Sequence, residues 1–243
     1  MILIYQNYIH NLMMLYESIA SVIGRQNVDF IDADQLINEG KLTSQVKALV
    51  MPGGADLYYC EKLNGQGNHV IRNYVEAGGT YLGICAGAYY GCSEIGWMEN
   101  TADEIAGQRE LAFFPGKSTG PISQFTPDYT AQETAVVEIK DAAGKTYSVC
   151  YWGGPQFVAP YPDDVEVMAR YTALENSNAA LIKRNIGTGQ AILSSSHLEI
   201  SANLLALRGY ELDNSTPTKE DLQKLRDGGQ PQLWLTLLQD IIT

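Results

Sequence analysis

The strongest constraint on the fold is a series of short, mostly apolar segments separated by helical patterns. Residues 2–5, 46–51 and 80–84 are apolar at most positions, which is typical of parallel strands covered on both faces. Between them, apolar residues recur at helical spacing in 12–23 and 66–77. This alternation predicts an α/β fold with a doubly wound, mostly parallel sheet flanked by helices, whose ligands bind beyond the C-terminal ends of the strands.

The second half of the chain predicts additions to this sheet. Residues 96–131 are rich in Gly, Pro, Ser and Thr, which predicts a cover loop. Strand-like runs at 134–140 and 146–152, with Gly144 between them, predict a hairpin as a small antiparallel addition. Without an internal repeat or a long linker, residues 1–243 are predicted to form a single domain. Further elements are predicted as strands at 28–32, 165–171, 179–183 and 190–195, a helix at 201–208, and C-terminal helices over 218–242 packed on the domain.

Composition narrows the class of function. The chain has 16 Lys and Arg against 28 Asp and Glu, a net charge of −12, so neither nucleic acid nor a membrane surface is an expected partner. No apolar run approaches the roughly 20 residues of a membrane-spanning helix, and the first residues lack a signal-peptide pattern. The 4 cysteines lack metal-ligand spacing, which predicts reduced thiols, no metal and no cofactor in a cytoplasmic protein.

One segment carries the pattern of a nucleophile. From Tyr81 to Gly91 a strand runs into a helix start rich in small residues, with Cys85 at the turn. Gly83 and Gly87, two residues to either side, allow the strand and the helix to approach closely, which is the composition of a nucleophile elbow. Amides at a helix N-terminus lower the pKa of a thiol and favour the reactive thiolate. The alternative interpretation is a buried cysteine that packs as a small apolar residue.

A cysteine nucleophile needs a base and a group that orients the base. Among the 3 histidines, His197 follows an apolar strand-like segment, and Glu199 lies two residues further on. Side chains at positions i and i+2 of an extended stretch point the same way, so Glu199 can hold the second imidazole nitrogen. The sequence therefore predicts a triad of Cys85, His197 and Glu199. His10 and His69 are instead interpreted as a polar residue before a helix and a residue on a helix face.

Two further groups of residues are candidates for the site. Attack on a carbonyl requires hydrogen-bond donors for the oxyanion. The amide of Ala86, directly after the cysteine, and the amides of Gly53 and Gly54, at the end of a neighbouring strand, are predicted to supply them. The alternative for the two glycines is a simple turn. Residues that flank the two loops are either walls of a substrate pocket or ordinary packing residues. These candidate substrate-binding residues are Asp56, Tyr58, Tyr89 and Tyr90.

Three stretches together resemble a known family. They are Leu-Val-Met-Pro-Gly-Gly-Ala-Asp-Leu-Tyr-Tyr at 49–59, Leu-Asn-Gly-Gln-Gly-Asn at 63–68, and Leu-Gly-Ile-Cys-Ala-Gly-Ala-Tyr-Tyr-Gly at 82–91. They are similar to the amino-terminal domain of eukaryotic biotin protein ligases and its free-standing bacterial relatives, which in turn resemble class I glutamine amidotransferases. The similarity continues at 109–116, 151–155 and 197–199. The resemblance implies a flavodoxin-like three-layer fold, with Cys85 as nucleophile, His197 as base and Glu199 as the residue that orients it.

Departures from the related patterns limit the implied activity. Class I amidotransferases carry Gly-x-Cys-x-Gly-x-Gln at the elbow, where the Gln helps to seat glutamine, whereas Tyr89 occupies that position in this chain. The intracellular cysteine peptidase branch has His directly after its Cys, whereas this chain has Ala86. The Gly-Arg-Gly-Arg-type loop that marks the biotin-transferring part of the ligases does not occur in the sequence. The chain is therefore not expected to transfer biotin by itself.

Two hypotheses about function follow from these patterns. The first is a cysteine-dependent amidase, hydrolase or acyl transferase that acts on a small amide or ester. The second is a non-catalytic binding or regulatory module that keeps the amidotransferase architecture to hold a small ligand or a separate ligase or synthetase partner. Tyr89, in place of the usual Gln, motivates the second hypothesis.

Overall fold

The computed structural model describes residues 1–6, 12–127, 134–203 and 218–243. Within these ranges the strands are β1 (Ile2–Tyr5), β2 (Val28–Ile31), β3 (Ala48–Met51), β4 (Thr80–Ile84), β5 (Cys92–Trp97), β6 (Ile105–Gln108), β7 (Phe114–Gly120), β8 (Ala135–Asp141), β9 (Thr146–Tyr151), β10 (Gln156–Phe157), β11 (Val165–Tyr171), β12 (Ala179–Ile186) and β13 (Gly189–Ser194). The α-helices are α1 (Leu12–Ile23), α2 (Ala33–Ile37), α3 (Asp56–Leu63), α4 (Gln66–Glu76), α5 (Ala86–Tyr90), α6 (Lys219–Asp227) and α7 (Gln230–Ile242).

Five strands form the parallel part of the sheet, in the order β2-β1-β3-β4-β13. The register places Met51 of β3 opposite Gly83 of β4, and Gly83 opposite Leu193 of β13. The C-terminal ends of these three strands therefore meet at one edge of the sheet, where ligands bind in open parallel sheets. Strand β13 reaches this central position only after most of the chain has passed through the rest of the sheet.

Helices cover both faces of the parallel strands, and the strands are apolar on both faces for that reason. Leu3 and Tyr5 of β1 belong to a core cluster that also contains buried residues of α2, α3, α4 and α5. Ile2 and Ile4 point to the opposite face, in a cluster that contains residues of α1 and α7. Each fully buried large apolar side chain stabilises the fold by about 1.5–3 kcal/mol. The predicted fold class, a doubly wound sheet flanked by helices, is confirmed.

The part of the sheet beyond β13, antiparallel except for the parallel pair β5–β7, is larger than the small antiparallel addition that the sequence predicts. Strands β12, β10, β7, β5 and β6 continue the sheet beyond β13, and β11, β8 and β9 branch from β12. The predicted cover loop at 96–131 is wrong in part, because it contains β6 and β7. The sequences of these strands, Ile-Ala-Gly-Gln and Phe-Pro-Gly-Lys-Ser-Thr-Gly, do not alternate between apolar and polar residues, and strand prediction depends on that alternation.

Most other predicted elements are present. The hairpin is formed by β8 and β9, and Gly144 adopts a φ of 88° at its turn. Thr218 caps α6 by accepting a hydrogen bond from the Asp221 amide. Helices α2 and α3 are additional to the prediction. Most of the predicted helix at 201–208 lies outside the described residues, as does His10. Within the described ranges, no helix combines the length and the apolar character that a membrane span requires.

Candidate active site

Cys85 lies at the sharp turn between β4 and α5. Its φ of 51° and ψ of −105° are unusual for a residue with a side chain, and such a conformation persists only where the surroundings enforce it. The Cys85 amide donates to the Ser194 carbonyl at 2.9 Å, and the Gly87 amide donates to the Pro52 carbonyl at 3.1 Å. A Cβ atom on Gly87 would overlap the Met51 carbonyl. The ends of β3, β4 and β13 thus hold the elbow, as the glycine spacing predicts.

His197 and Glu199 form a buried pair directly after β13. The Nδ1 atom of His197 lies 2.7 Å from Oε1 of Glu199, and both side chains are 7% exposed. A carboxylate oxygen accepts hydrogen bonds, so Nδ1 carries a proton and Nε2 is left for another partner. The Cys85 side chain lies next to the same imidazole, since the Gly53 backbone adjoins both. Burial lowers the pKa of His197, but Glu199 and Cys85 outweigh burial and raise this pKa to about 10.

The backbone of Gly53 fits closely against this pair. A Cβ atom built on Gly53 would lie 2.7 Å from Cε1 of His197, 3.4 Å from Nε2 of His197 and 3.5 Å from Cβ of Cys85. The hydroxyl of Tyr59 holds the loop in place by donating to the Pro52 carbonyl at 2.8 Å. The structure therefore brings together Gly53, Cys85 and His197, as the sequence predicts, and leaves no room for a side chain at position 53.

Two residues whose amides are proposed for the oxyanion, Gly53 and Ala86, lie next to Cys85. Ala86 is the first residue of α5, and the first amides of a helix have no partner within the helix. Gly54 has a φ of 138°, a backbone conformation that favours glycine, in the same loop as Gly53.

Trp152 provides another contact with the sulfur. The Cys85 thiol donates a hydrogen bond to the Trp152 carbonyl at 3.3 Å. The Trp152 ring lies with its centroid 5.8 Å from that of the His197 imidazole. Cys85 and His197 are 7% and 6% exposed, so the pair is largely shielded from water by these surroundings.

The candidate substrate-binding residues are not all at this site. Asp56 begins α3 and forms a buried ion pair with Arg109, with 2.6 Å between Oδ2 and Nε. Burial raises the pKa of Asp56, although Arg109 opposes the shift. Tyr58, on the same helix, is 42% exposed.

The two tyrosines after the elbow are buried. Tyr90 is fully buried, and its hydroxyl donates to Oδ1 of Asn68 in α4, which is the packing alternative that the sequence leaves open. Tyr89 is 3% exposed, and its hydroxyl donates to the Gly153 carbonyl at 3.3 Å. The carbonyl of the preceding residue, Trp152, accepts from the Cys85 thiol, so Tyr89 lies close to the candidate nucleophile.

The other three cysteines differ from Cys85 in their surroundings. Cys60 lies on α3, and burial raises the pKa of its thiol. Burial also raises the pKa of Cys92 to about 12 and raises that of Cys150 further. Among the described residues, no group of three His, Cys, Asp or Glu side chains is arranged to hold a metal ion.

Sequence reasoning missed two residues that contact the candidate residues or their backbone. Arg109 stands in a stretch that carries the family resemblance, so its position was a usable signal, and it is the partner of Asp56. Gln230 carries no signal in the sequence, because a glutamine at the start of a C-terminal helix is typical of a solvated position. The structure instead buries Gln230 completely and joins it to the backbone around His197.

Comparisons with known proteins agree with this architecture. A crystal structure of a glutamine amidotransferase matches 86% of this chain and 100% of its own, with a TM-score of 0.56 and 17% identity. PurLQS from Thermotoga maritima matches 97% of this chain and 96% of its own, with a TM-score of 0.56 and 14% identity. At these identities the similarity concerns the fold, which is that of the glutamine amidotransferases.

Two sequence relatives are closer. An uncharacterized protein from Chlamydia muridarum is 32% identical over 220 residues, which are 88% of this chain and 82% of that protein. The biotin–protein ligase of Schizosaccharomyces pombe is 32% identical over 180 residues, which are 71% of this chain but only 28% of the ligase. The family described as "Biotin-protein ligase, N terminal" matches residues 6–240. The chain therefore belongs to the biotin-protein ligase N-terminal family and has a glutamine amidotransferase-like fold.

Proposed function

We propose that the chain is a cysteine-dependent amidase, hydrolase or acyl transferase that acts on a small amide or ester. One observation carries this proposal: Glu199 binds Nδ1 of the His197 imidazole at 2.7 Å, and the Nε2 side of the ring and the Cys85 side chain both face the backbone of Gly53. This is the arrangement in which a base activates a nucleophile and a third group orients the base. The strained backbone of Cys85 supports the same interpretation, because such conformations cluster at functional sites.

The proposed reaction proceeds through a thioester. Because its pKa is raised to about 10, His197 carries the proton as an imidazolium near neutral pH, and Sγ of Cys85 attacks the substrate carbonyl to form a tetrahedral intermediate. His197 then protonates the leaving amine or alcohol as the C–N or C–O bond breaks. Water, deprotonated by His197, hydrolyses the thioester in the second half of the cycle, or an amine accepts the acyl group instead. Glu199 remains on Nδ1 and stabilises the imidazolium each time it forms.

The oxyanion of that intermediate needs fixed donors. We propose that the Ala86 amide and the amides of Gly53 and Gly54 supply them, since α5 and the β3–α3 loop approach Cys85 from two sides. Removing one such donor typically costs about 2.7–4 kcal/mol of transition-state stabilisation.

The first experiment measures the rate of iodoacetamide alkylation at each of the four cysteines between about pH 5 and 9, by peptide mass spectrometry on the folded protein. Cys85 is expected to react faster than the more exposed Cys60 near neutral pH, although it is 7% exposed. His197→Gln should slow Cys85 by about tenfold or more. His69→Gln, on a helix face where the ring contacts Asn73, is the matched control and should change nothing. Equal rates in the wild type and His197→Gln would contradict the proposal.

A second candidate function is a binding or regulatory module without turnover, and Tyr89 favours it. At the position where class I amidotransferases carry a glutamine that seats the substrate, this chain has a buried tyrosine whose hydroxyl is bonded to Gly153. Such a module would hold a small ligand, or a separate ligase or synthetase partner, in the same cleft. This candidate takes its support from the relationship to a biotin–protein ligase of which the chain spans only 28%.

One assay separates the two candidates. A panel of small primary amides and nitrophenyl esters is incubated with the protein, and released ammonia or nitrophenol is measured. Turnover that disappears in Cys85→Ala supports the enzyme. An absence of turnover, combined with a rise of the melting temperature in the presence of the same compounds, supports the binding module.

A further inference from the structure

Gln230 connects the C-terminal helix to the loop that carries His197. It is the first residue of α7, it follows Gly229 with a φ of 76°, and it is completely buried. Its Oε1 accepts a hydrogen bond from the Cys150 amide at 3.0 Å. Its Nε2 lies 2.6 Å from the Ile200 carbonyl, 3.0 Å from the Leu198 carbonyl and 3.4 Å from the His197 carbonyl.

The orientation of this amide is fixed by its partners. The Cys150 amide can only donate, so it requires the oxygen of the Gln230 side chain. The carbonyls on the other side can only accept, so they require the nitrogen, whose two protons serve the 2.6 and 3.0 Å contacts best. Both the oxygen and the nitrogen of the side-chain amide are thus hydrogen-bonded. Exchanging the two atoms would leave the Cys150 amide and the loop carbonyls, which are buried, without partners.

The same strand holds the loop from a second direction. The Cys150 carbonyl accepts a hydrogen bond from the His197 amide at 2.8 Å. Cys150 is therefore bound through its carbonyl to His197 and through its amide to Gln230. On the same strand β9, the Ser148 amide donates to the Gly228 carbonyl at 3.0 Å, which fixes the start of α7 beside the strand. The residues from His197 to Ile200 are consequently held between β9 and one glutamine side chain.

We propose that Gln230 is a positioning residue that sets the orientation of His197 relative to Glu199 and Cys85. The loop from His197 to Ile200 lies beyond the end of β13. The Gln230 amide binds the Leu198 and Ile200 carbonyls of this loop, as a neighbouring strand would do within a sheet. Glu199, between two residues whose carbonyls Gln230 binds, is fixed with the loop. The catalytic meaning of this inference rests on the proposed function, whereas the structural role of Gln230 does not.

The test is the titration of His197 by NMR in the full chain. The chain has 3 histidines, so His10→Gln and His69→Gln assign the His197 ring signal. Gln230→Met keeps the size of the side chain and removes its hydrogen bonds. In this variant the pKa of His197 is expected to fall from its raised value towards 6.5, as the loop relaxes away from the arrangement in which Glu199 and Cys85 hold the proton. Cys85 alkylation near neutral pH should slow by about tenfold or more.

Two controls separate positioning from simple loss of stability. Gln232→Met makes the same change at an exposed position of the same helix and should leave both readouts unchanged. Ile71→Ala removes a fully buried side chain of α4, in a core cluster that contains no residue of the loop, and lowers the melting temperature. If Ile71→Ala shifts the His197 titration as much as Gln230→Met does, or if Gln230→Met leaves it unshifted, the inference is wrong.

A second variant decides the question if Gln230→Met does not fold. Gln230→Asn keeps a neutral amide but is one methylene shorter, so it cannot reach both the Cys150 amide and the carbonyls of Leu198 and Ile200. It should lower the pKa of His197 in the same direction, and an unchanged titration would overturn the inference. The His197 titration is independent of whether Cys85 reacts. An unreactive wild-type Cys85 therefore contradicts the proposed function alone, whereas an unshifted His197 contradicts the role of Gln230 alone.

Discussion

Gly53→Ala tests the geometry of the site with a single methyl group. The new Cβ would lie 2.7 Å from Cε1 of His197, whereas carbon atoms in contact are separated by about 3.5–4.0 Å. The backbone at Gly53 does not require glycine, since its φ lies outside the left-handed region. The imidazole must therefore move by about 1 Å. Glu199 and the Cys150 carbonyl hold the residue from other sides, so the ring cannot move without losing contacts.

A displacement of about 1 Å in a catalytic group can cost about 100-fold in rate. We therefore expect Gly53→Ala to slow Cys85 alkylation near pH 7 by about 100-fold, and to slow turnover of any substrate to a similar degree. Overpacking of this kind destabilises by about 1–3 kcal/mol, so the protein should remain folded in a thermal melt. The rates are measured by peptide mass spectrometry in the folded protein.

Gly96→Ala is the matched control for Gly53→Ala. Its Cβ would overlap the Glu99 side chain, but Glu99 is exposed and can swing away. This variant should alkylate at the wild-type rate. A Gly53→Ala protein that is folded and reacts at the wild-type rate would refute the reasoning that the imidazole is confined.

Three further outcomes are expected. Glu199→Gln keeps a polar partner for Nδ1 but removes the negative charge, so the pKa of His197 should fall from about 10 towards 6.5 in an NMR titration. In the wild type, His197 keeps its proton in the folded protein up to about pH 10, whereas the unfolded chain releases it above about pH 6.5. The free energy of unfolding, measured in urea, should therefore decrease as the pH rises from about 6.5 to about 10. Arg109→Met leaves the Asp56 carboxylate buried without its partner. This loss should lower the free energy of unfolding by about 3–5 kcal/mol and the melting temperature by about 10 °C.

Each of these outcomes has a control. A decline in stability that is equally steep in Glu199→Gln would show that His197 is not its source. Lys117→Met removes a cation paired with Glu99 at 2.7 Å on the exposed surface and should change stability by less than about 1 kcal/mol. A melting temperature in Arg109→Met that is no lower than in Lys117→Met would mean that the buried pair contributes little.

The parallel strands and the elbow were predictable because their signals are local. Strand β4 has the predicted bounds, and Gly87 packs against the end of β3 as its spacing from Cys85 suggests. The His197–Glu199 contact also follows from a spacing of two residues. These features depend on neighbours in the sequence, which periodicity and glycine positions reveal.

The remaining features depend on residues distant in the chain. The roles of Arg109 and Gln230 arise from contacts 53 and 80 residues away, with Asp56 and Cys150. A buried ion pair or a buried amide leaves no periodic pattern in a single sequence. Tyr90 shows the converse case, because its place beside the elbow suggested a pocket, whereas its hydroxyl turns away to Asn68 in α4.

The central place of β13 has a consequence for synthesis of the protein. The strand is the last in sequence among those that the structure describes, but it lies between β4 and β12. While the ribosome is still adding β13, the nascent chain holds β4 with one unpaired edge, and unpaired strand edges promote aggregation. The His197 loop follows β13, so the elbow cysteine is made more than a hundred residues before the histidine that contacts it. A chain that stalls before this point therefore presents the thiol without its partner and the sheet without its centre.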